Sequence, residues 1–274
     1  MKNPTVLVAI GHGLYEPWLN ILYEGQEKTW LHAEPPLGVS TIHYHGTPVG
    51  KIGWKLDRLH EWLRWKNRWF ATFLRLIDRI RGVPLLLFIP RISTSKEIKS
   101  SHLALHIHFP DTYQNVRWKD LAILNYFINE RSEDFILFTT TSSYIHYAHL
   151  IERVSGLDAQ DFYGGVVPYE GAKFVAGNNR LISRSAVVKL LNHRSYFDPG
   201  YIEDVAMGKA FERLKIKLDS LPSWNFTDIQ GVETLTEEIF LKNYHFRMKS
   251  GSFGNRLDVP IMLSLHNKIV NEFK

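Results

Sequence analysis

The 274-residue sequence contains no cysteine, which removes disulfide frameworks, Cys-ligated zinc, iron–sulfur clusters and thiol nucleophiles together. It also lacks a run apolar and long enough to cross a bilayer, an internal repeat, a low-complexity tract, and any Pro/Gly/Ser linker long enough to divide the chain. No P-loop pattern occurs. Gly11-His12-Gly13 follows a predicted strand but is not a GxGxxG dinucleotide fingerprint. What remains is globular in character, with 45% hydrophobic and 13% aromatic residues. That composition supports one large domain, and a single domain over residues 1–274 is expected. The opening MKNPTVLVAIGHG reads as a buried first strand rather than a signal peptide, so a cytoplasmic protein is expected.

Charge of one sign is concentrated in one place. Lys and Arg number 33 against 28 Asp and Glu, for a net charge of +5, yet residues 51–82 alone hold nine bases and three acids. Within that stretch Leu59, Trp62, Leu63, Trp65, Trp69, Phe73, Leu76 and Ile80 recur at three- and four-residue spacings, the period of an amphipathic helix. Arg58, Arg64, Arg68, Arg75 and Arg79 fall on its other faces. Two readings stay open. The helix rests on an anionic bilayer with indoles at the headgroup boundary, peripheral to an inner membrane, or it packs on the domain and keeps a solvated basic face. Nucleic acid is not expected as a partner, because no recognition fold or aromatic RNA-binding signature accompanies the patch.

Short apolar runs alternate with helical stretches elsewhere: 6–10, 39–45, 84–89 and 102–109, then a helix over 117–130 and a strand over 134–142. Such runs, apolar on both faces, predict an α/β fold with a mostly parallel sheet flanked by helices, and ligands beyond the carboxyl ends of its strands. The 51–82 helix is then an insertion. His-x-His pairs at 43/45 and 106/108 place two imidazoles on one face of a strand, as a metal pair requires. With no third ligand in view, they are read as strand histidines with ordinary hydrogen bonds.

Four segments, in order, carry a resemblance: EKTW at 27–30, DTYQNVRWK at 111–119, DFILFTTTSSYI at 134–145, and FVAGNNRLISRSAV at 174–187 with YIEDVAMG at 201–208. Together they resemble the inverting β-1,3-glycosyltransferase family that includes Fringe and the β-1,3-galactosyltransferases. The resemblance implies a GT-A fold, a Rossmann-like mixed sheet flanked by helices, acting on a UDP-sugar. The family's metal-binding triple aspartate falls here on Thr140, Thr141 and Ser142, whose neutral hydroxyls are poor ligands for a hard cation. No metal cofactor is therefore expected.

Fixed cations must then balance the departing nucleoside diphosphate. His245, Arg247 and Lys249, two residues apart, would project to one side of an extended segment as a cationic comb, with Arg256 near by. An exposed basic edge strand is the bland alternative. By the resemblance Asp204 is the general base that deprotonates the acceptor hydroxyl, and Glu203 orients the acceptor or raises the Asp204 pKa. Asp204 would sit near a helix N-terminus, whose dipole favours its ionised form. Gly177 lets backbone approach the donor sugar, and Asn178 stands where the family has glycine. Thr29, Asp111, Asn115 and Lys119 are assigned to the nucleotide side, Lys119 as a phosphate or nucleotide contact, with a plain capping role open for Asp111. The expected partners are a nucleotide-sugar donor and a lipid-linked or oligosaccharide acceptor in surface-glycan (lipopolysaccharide or capsule) synthesis. The competing function is a degenerate, non-catalytic transferase that binds glycans or proteins.

Overall fold

The computed structural model describes residues 4–32, 34–66, 68–251 and 256–273. The chain runs through β1 (Val6–Gly11), α1 (Trp18–Asn20), which continues as a π-helical segment over Ile21–Gln26, β2 (Val39–Thr47), α2 (Lys51–Lys66), α3 (Arg68–Leu85), β3 (Ile92–Thr94) and β4 (Leu103–Pro110). There follow α4 (Val116–Glu130), β5 (Phe135–Thr140), β6 (Ser143–Ile145), α5 (Tyr147–Ser155), β7 (Tyr163–Gly165), β8 (Asn179–Ser183) and α6 (Arg184–Asn192). The last elements are α7 (Glu203–Arg213), β9 (Leu218–Ser220), β10 (Trp224–Phe226), α8 (Ile229–Glu233), α9 (Glu237–Lys242), β11 (His245–Met248) and α10 (Asp258–Glu272).

Eight strands form one sheet in the order β3-β4-β2-β1-β5-β8-β7-β9. Strands β4, β2, β1 and β5 are parallel neighbours, whereas β8 runs antiparallel to both β5 and β7. The period-2 alternation of strand side chains divides the core in two. On β1, Val6, Val8 and Ile10 enter a cluster with Ile261, Met262 and Leu265 of α10, while Leu7 and Ala9 enter one with Leu121, Leu124 and Phe127 of α4. Strand β5 does the same with Phe135 and Leu137 on one face and Ile136 and Phe138 on the other. This is the expected α/β architecture, a mixed sheet covered by helices on both faces. A second sheet, β10-β11-β6, stands beside the end of β5 and continues from it through the turn at Thr141 and Ser142.

Two sequence expectations are corrected. The 51–82 stretch is not one helix but two, α2 and α3, packed on each other; Arg64 of α2 reaches Asp78 of α3 at 3.2 Å. Apolar periodicity continues across the junction and so conceals it. The side chains of Trp65 and Arg68 lie outside the described residues. The apolar run 84–89 is not a strand: Pro84 and Leu85 end α3 and residues 86–88 turn, so the run caps a helix where its length alone suggested a buried strand.

Gly165 ends β7 at φ 156°, and a Cβ there would come within 2.0 Å of the Asn179 carbonyl oxygen on β8. Only glycine meets both conditions. Gly165→Ala is therefore expected to cost about 3 kcal/mol in urea unfolding, whereas Gly50→Ala, where an added Cβ meets nothing within 4 Å, should cost about 1 kcal/mol or less.

Candidate active site

The carboxyl ends of β1, β2 and β5 open onto a cavity of about 500 Å³. Its floor and rim include Gly11–Gly13 at the end of β1, Tyr15 and Trp18, Tyr44 of β2, the α2 face of Trp54, Asp57, Arg58 and Glu61, the segment from Asp111 into α4, Thr139–Ser142 at the end of β5, Ala176–Asn178 before β8, and Glu203 with Asp204 at the start of α7. Arg247 of β11 and Arg256 complete it. A second hollow of similar volume lies at the sheet edge between β3, β4 and α4, with Arg91 and Glu130 as its only charged lining residues. The concentration of opposed charges singles out the first cavity.

Beneath the floor lies a buried ion pair, Arg180 of β8 with Asp120 of α4. Tyr44 of β2 donates to Asp120 at 2.9 Å, and the Arg180 guanidinium stands 4.7 Å over the Phe138 ring. Two of its nitrogens, Nε and Nη1, have no hydrogen-bond partner. Burial alone would lower the Arg180 pKa, but Asp120 and then Glu203 hold it above the usual arginine value.

Glu203 and Asp204 occupy the first turn of α7. The Glu203 carboxylate lies over Gly177, where a Cβ would come within 2.6 Å of Oε1. Its Oε2 has no partner. Burial, then the neighbouring charges of Asp204 and Asp120, push the Glu203 carboxyl up to about 8. Asp204 accepts from the Val205 N–H at 2.7 Å. Its pKa is nevertheless raised, because burial outweighs that backbone bond and the attraction of Arg180. The helix N-terminus is expected to favour an ionised Asp204; its backbone N–H does act in that direction, but burial outweighs it and the net shift is upward.

Opposite them, the turn at Thr140–Ser142 is held from below. Gln26, buried in the π-helical segment, donates to the carbonyls of Thr140 at 3.1 Å and Ser143 at 3.0 Å. Strand β11 pairs Arg247 with Ser143 and sends its guanidinium to Asn178 Oδ1 at 2.9 Å. Arg256 donates to Ser142 Oγ at 3.0 Å and to Asp258 at 2.7 Å, and stacks 4.9 Å over Trp18. Among the described residues no carboxylate lies within ion-pair distance of Arg247, whose Nε is buried without a partner. Its pKa is lowered by burial and by Arg256. Hydroxyls at 140–142 with a guanidinium bonded to one of them do not fit a divalent cation, which needs anionic oxygens and repels a neighbouring positive charge.

Not every predicted residue reaches the cavity. Asp111, Lys119, Thr140, Thr141, Ser142, Gly177, Asn178, Glu203, Asp204 and Arg247 line it. Lys119 pairs with Asp111, which leaves Asp111 Oδ2 without a partner. Thr29 does not line the cavity; it is buried and donates to Gly25 O at 2.8 Å. Asn115 precedes α4 and donates to Pro110 O at 3.1 Å. The comb breaks up. His245 is buried between Ser223 and Ser143, at 2.6 and 3.0 Å, and burial lowers its pKa to about 3, so it is neutral. Lys249 lies beyond the end of β11, exposed. Arg256, from the next segment, stands beside Arg247 instead.

Sequence reasoning missed His12, Tyr44, Asp120 and Arg180. His12 lines the cavity with both ring nitrogens buried and unpartnered, and its pKa is lowered by burial and by His43 and His45. A charged residue inside the strand run NRLIS was a signal that Arg180 had a buried partner. The strand histidines mostly bond as expected: His45 with Gly46 O and Ser95, His106 with Thr47, His108 with Ser93. Among the described residues no group of three or more His, Asp or Glu is placed to hold a metal.

Because Glu203 goes from 4.5 to about 8 on folding, the folded chain holds a proton that the unfolded chain has released between those values, and stability falls as pH rises across that window. Glu203→Gln is expected to remove most of that slope, gaining on the order of 3 kcal/mol over the parent at pH 9 relative to pH 5. Urea unfolding at the two pH values measures it.

No protein-family model matches the sequence, and no curated protein matches it. Among solved structures the chain is similar to the glycosyltransferase GlyE of Streptococcus pneumoniae, with a TM-score of 0.44 and 11% identity over 98% of this chain and 63% of that one. It is also similar to the galactosyltransferase LgtC, solved with donor and acceptor sugar analogues, with a TM-score of 0.42 and 9% identity over 96% and 95%. Mouse xyloside xylosyltransferase 1 matches with a TM-score of 0.42 and 8% identity over 89% and 97%. The chain thus spans less than two thirds of the length of GlyE.

Proposed function

We propose that the chain is an inverting, metal-independent glycosyltransferase of GT-A type that moves a hexose from a UDP-sugar to a hydroxyl of a surface-glycan acceptor, forming a β-linkage. The observation that carries the reading is the pairing of two opposed charge systems across one cavity: a raised-pKa carboxyl pair at the start of α7, and Arg247 beside Arg256 at the turn after β5. Gly177 and Asn178 join the two, the first lying under Glu203 and the second accepting from Arg247.

In this mechanism the acceptor hydroxyl attacks the anomeric carbon from the face opposite UDP. Its proton passes to the Asp204 carboxylate as the new C–O bond forms, and the bond from the anomeric carbon to the diphosphate oxygen breaks with its electron pair on UDP. A carboxylate with a raised pKa is a stronger proton acceptor than a free aspartate. Glu203, protonated at neutral pH, donates a hydrogen bond to an acceptor or donor hydroxyl. Arg247 binds the diphosphate, because a desolvated guanidinium without an anion partner gains most from one. Arg256, already shared with Asp258, supplies a weaker second charge. Lys119 and Asp111 lie on the nucleotide side, with Asp111 Oδ2 open to a ribose hydroxyl.

Asp204→Asn should lower transfer by roughly 10²–10⁴-fold while UDP affinity stays within about twofold, with the product anomer read by NMR. Retention of configuration, or near-parental turnover of that variant, would refute the assignment. Arg247→Met should weaken UDP binding in calorimetry by about tenfold to a hundredfold, and a chelator should leave UDP release unchanged.

A further inference from the structure

Helix α3 is inside out. The stripe it turns toward the protein is small and polar: Ala71, Asp78 and Gly82 are buried, with Asp78 receiving Arg64 and Gly82 lying under Pro199 and Trp118. The stripe it turns outward is Trp69, Phe73, Leu76, Ile80 and Val83, at three- and four-residue spacing, with Trp69 86% and Ile80 67% exposed. Helix α2 extends this surface with exposed Ile52, Leu56, Leu59 and Trp62, and the turn after α3 adds Leu87 and Phe88. A helix packed on a water-soluble domain has the reverse arrangement, and an apolar patch of this extent marks a docking surface.

The hairpin is fastened to the rest of the chain by polar bonds. Arg79 pairs with Asp198 at 2.6 Å, Arg64 donates to Gly200 O at 2.6 Å, and Asp57 accepts from the Tyr113 N–H at 2.8 Å. These bonds hold the apolar stripe outward rather than letting it roll inward. Around it stand exposed Lys51, Lys55, Lys66 and Arg81, part of the excess of nine bases over three acids.

We infer that the α2–α3 hairpin docks on an anionic lipid bilayer, its outward aromatic and aliphatic side chains entering the interface and its bases meeting the headgroups. The two helices pack on each other, and apolar side chains exposed beside bases suit an interfacial anchor. Charge selects the bilayer over a second copy of the chain, because two such basic hairpins repel each other. Among the described residues no helix is long and apolar enough to cross a membrane, so the contact is a surface one. Since the opposite face of α2 lines the cavity through Trp54, Asp57, Arg58 and Glu61, docking sets the cavity rim about one helix diameter, roughly 10 Å, from the lipid surface. Resting on the transfer reaction proposed above, this identifies the acceptor as a lipid-anchored glycan.

Co-sedimentation of the full chain with vesicles of phosphatidylcholine, with and without about 30% phosphatidylglycerol, tests the docking without any donor sugar. The parent should bind the anionic vesicles, and Trp69→Ser with Phe73→Ser and Ile80→Ser should weaken binding by about tenfold or more, as should about 0.5 M salt acting on the charge contribution. The variant should keep the parent's far-ultraviolet circular dichroism and its turnover of a water-soluble acceptor. Parental protein left in the supernatant with anionic vesicles overturns the docking, and so does a concentration-dependent dimer in sedimentation that the triple change abolishes. If vesicles bind but no glycosyl transfer occurs, the docking stands and the transferase reading fails.

Discussion

The Arg180–Asp120 pair is the charge on which the cavity depends. Both groups are removed from water, a cost that mutual contact, the Tyr44 hydrogen bond and the Phe138 ring face offset. The pair ties α4, β8 and β2 together beneath the floor. Burial is the main cause of the raised pKa of both carboxyls above it; the field of the pair adds smaller opposed effects, Asp120 raising and Arg180 lowering them. Loss of either partner would leave a single buried charge next to the proton-holding groups, so stability and site chemistry are set by one interaction.

The opposite wall is built on a different principle. There a turn of hydroxyl side chains is immobilised through its own carbonyls by Gln26, and β11 brings a guanidinium alongside with no carboxylate in ion-pair distance among the described residues. A guanidinium partly removed from water and lacking a counter-ion attracts an anion more strongly than a fully hydrated one. Thr140, Thr141 and Ser142 thus shape the turn, and the charge beside it comes from elsewhere in the chain.

The parallel core was legible because its strands are continuous apolar runs: β1, β2, β4 and β5 fall where the sequence puts them. Strands β7, β9 and β10 have three residues each, too short for a pattern to stand out. The break between α2 and α3 was hidden because apolar spacing runs through it. At the site, residues next to strand ends or helix starts converged: Thr140–Ser142, Gly177, Asn178, Glu203 and Asp204. Of those argued from projection alone, Arg247 did and His245 and Lys249 did not. The two-residue step of His245, Arg247 and Lys249 treats β11 as free, whereas β11 is the central strand of its sheet, so His245 is enclosed and Lys249 lies past the last paired residue. Asp120 and Arg180 were overlooked for the opposite reason, since pairing of distant residues leaves no local period.

His245 has a consequence for how the cavity answers acid. Hydrogen-bonded between Ser223 and Ser143 and neutral until about pH 3, it latches the small sheet that carries Arg247 with a bond indifferent to mild acidification. The Glu203 carboxyl, pushed up to about 8, changes protonation far above that point. The wall that carries Arg247 therefore keeps its packing through a pH change that alters the charge on the wall facing it.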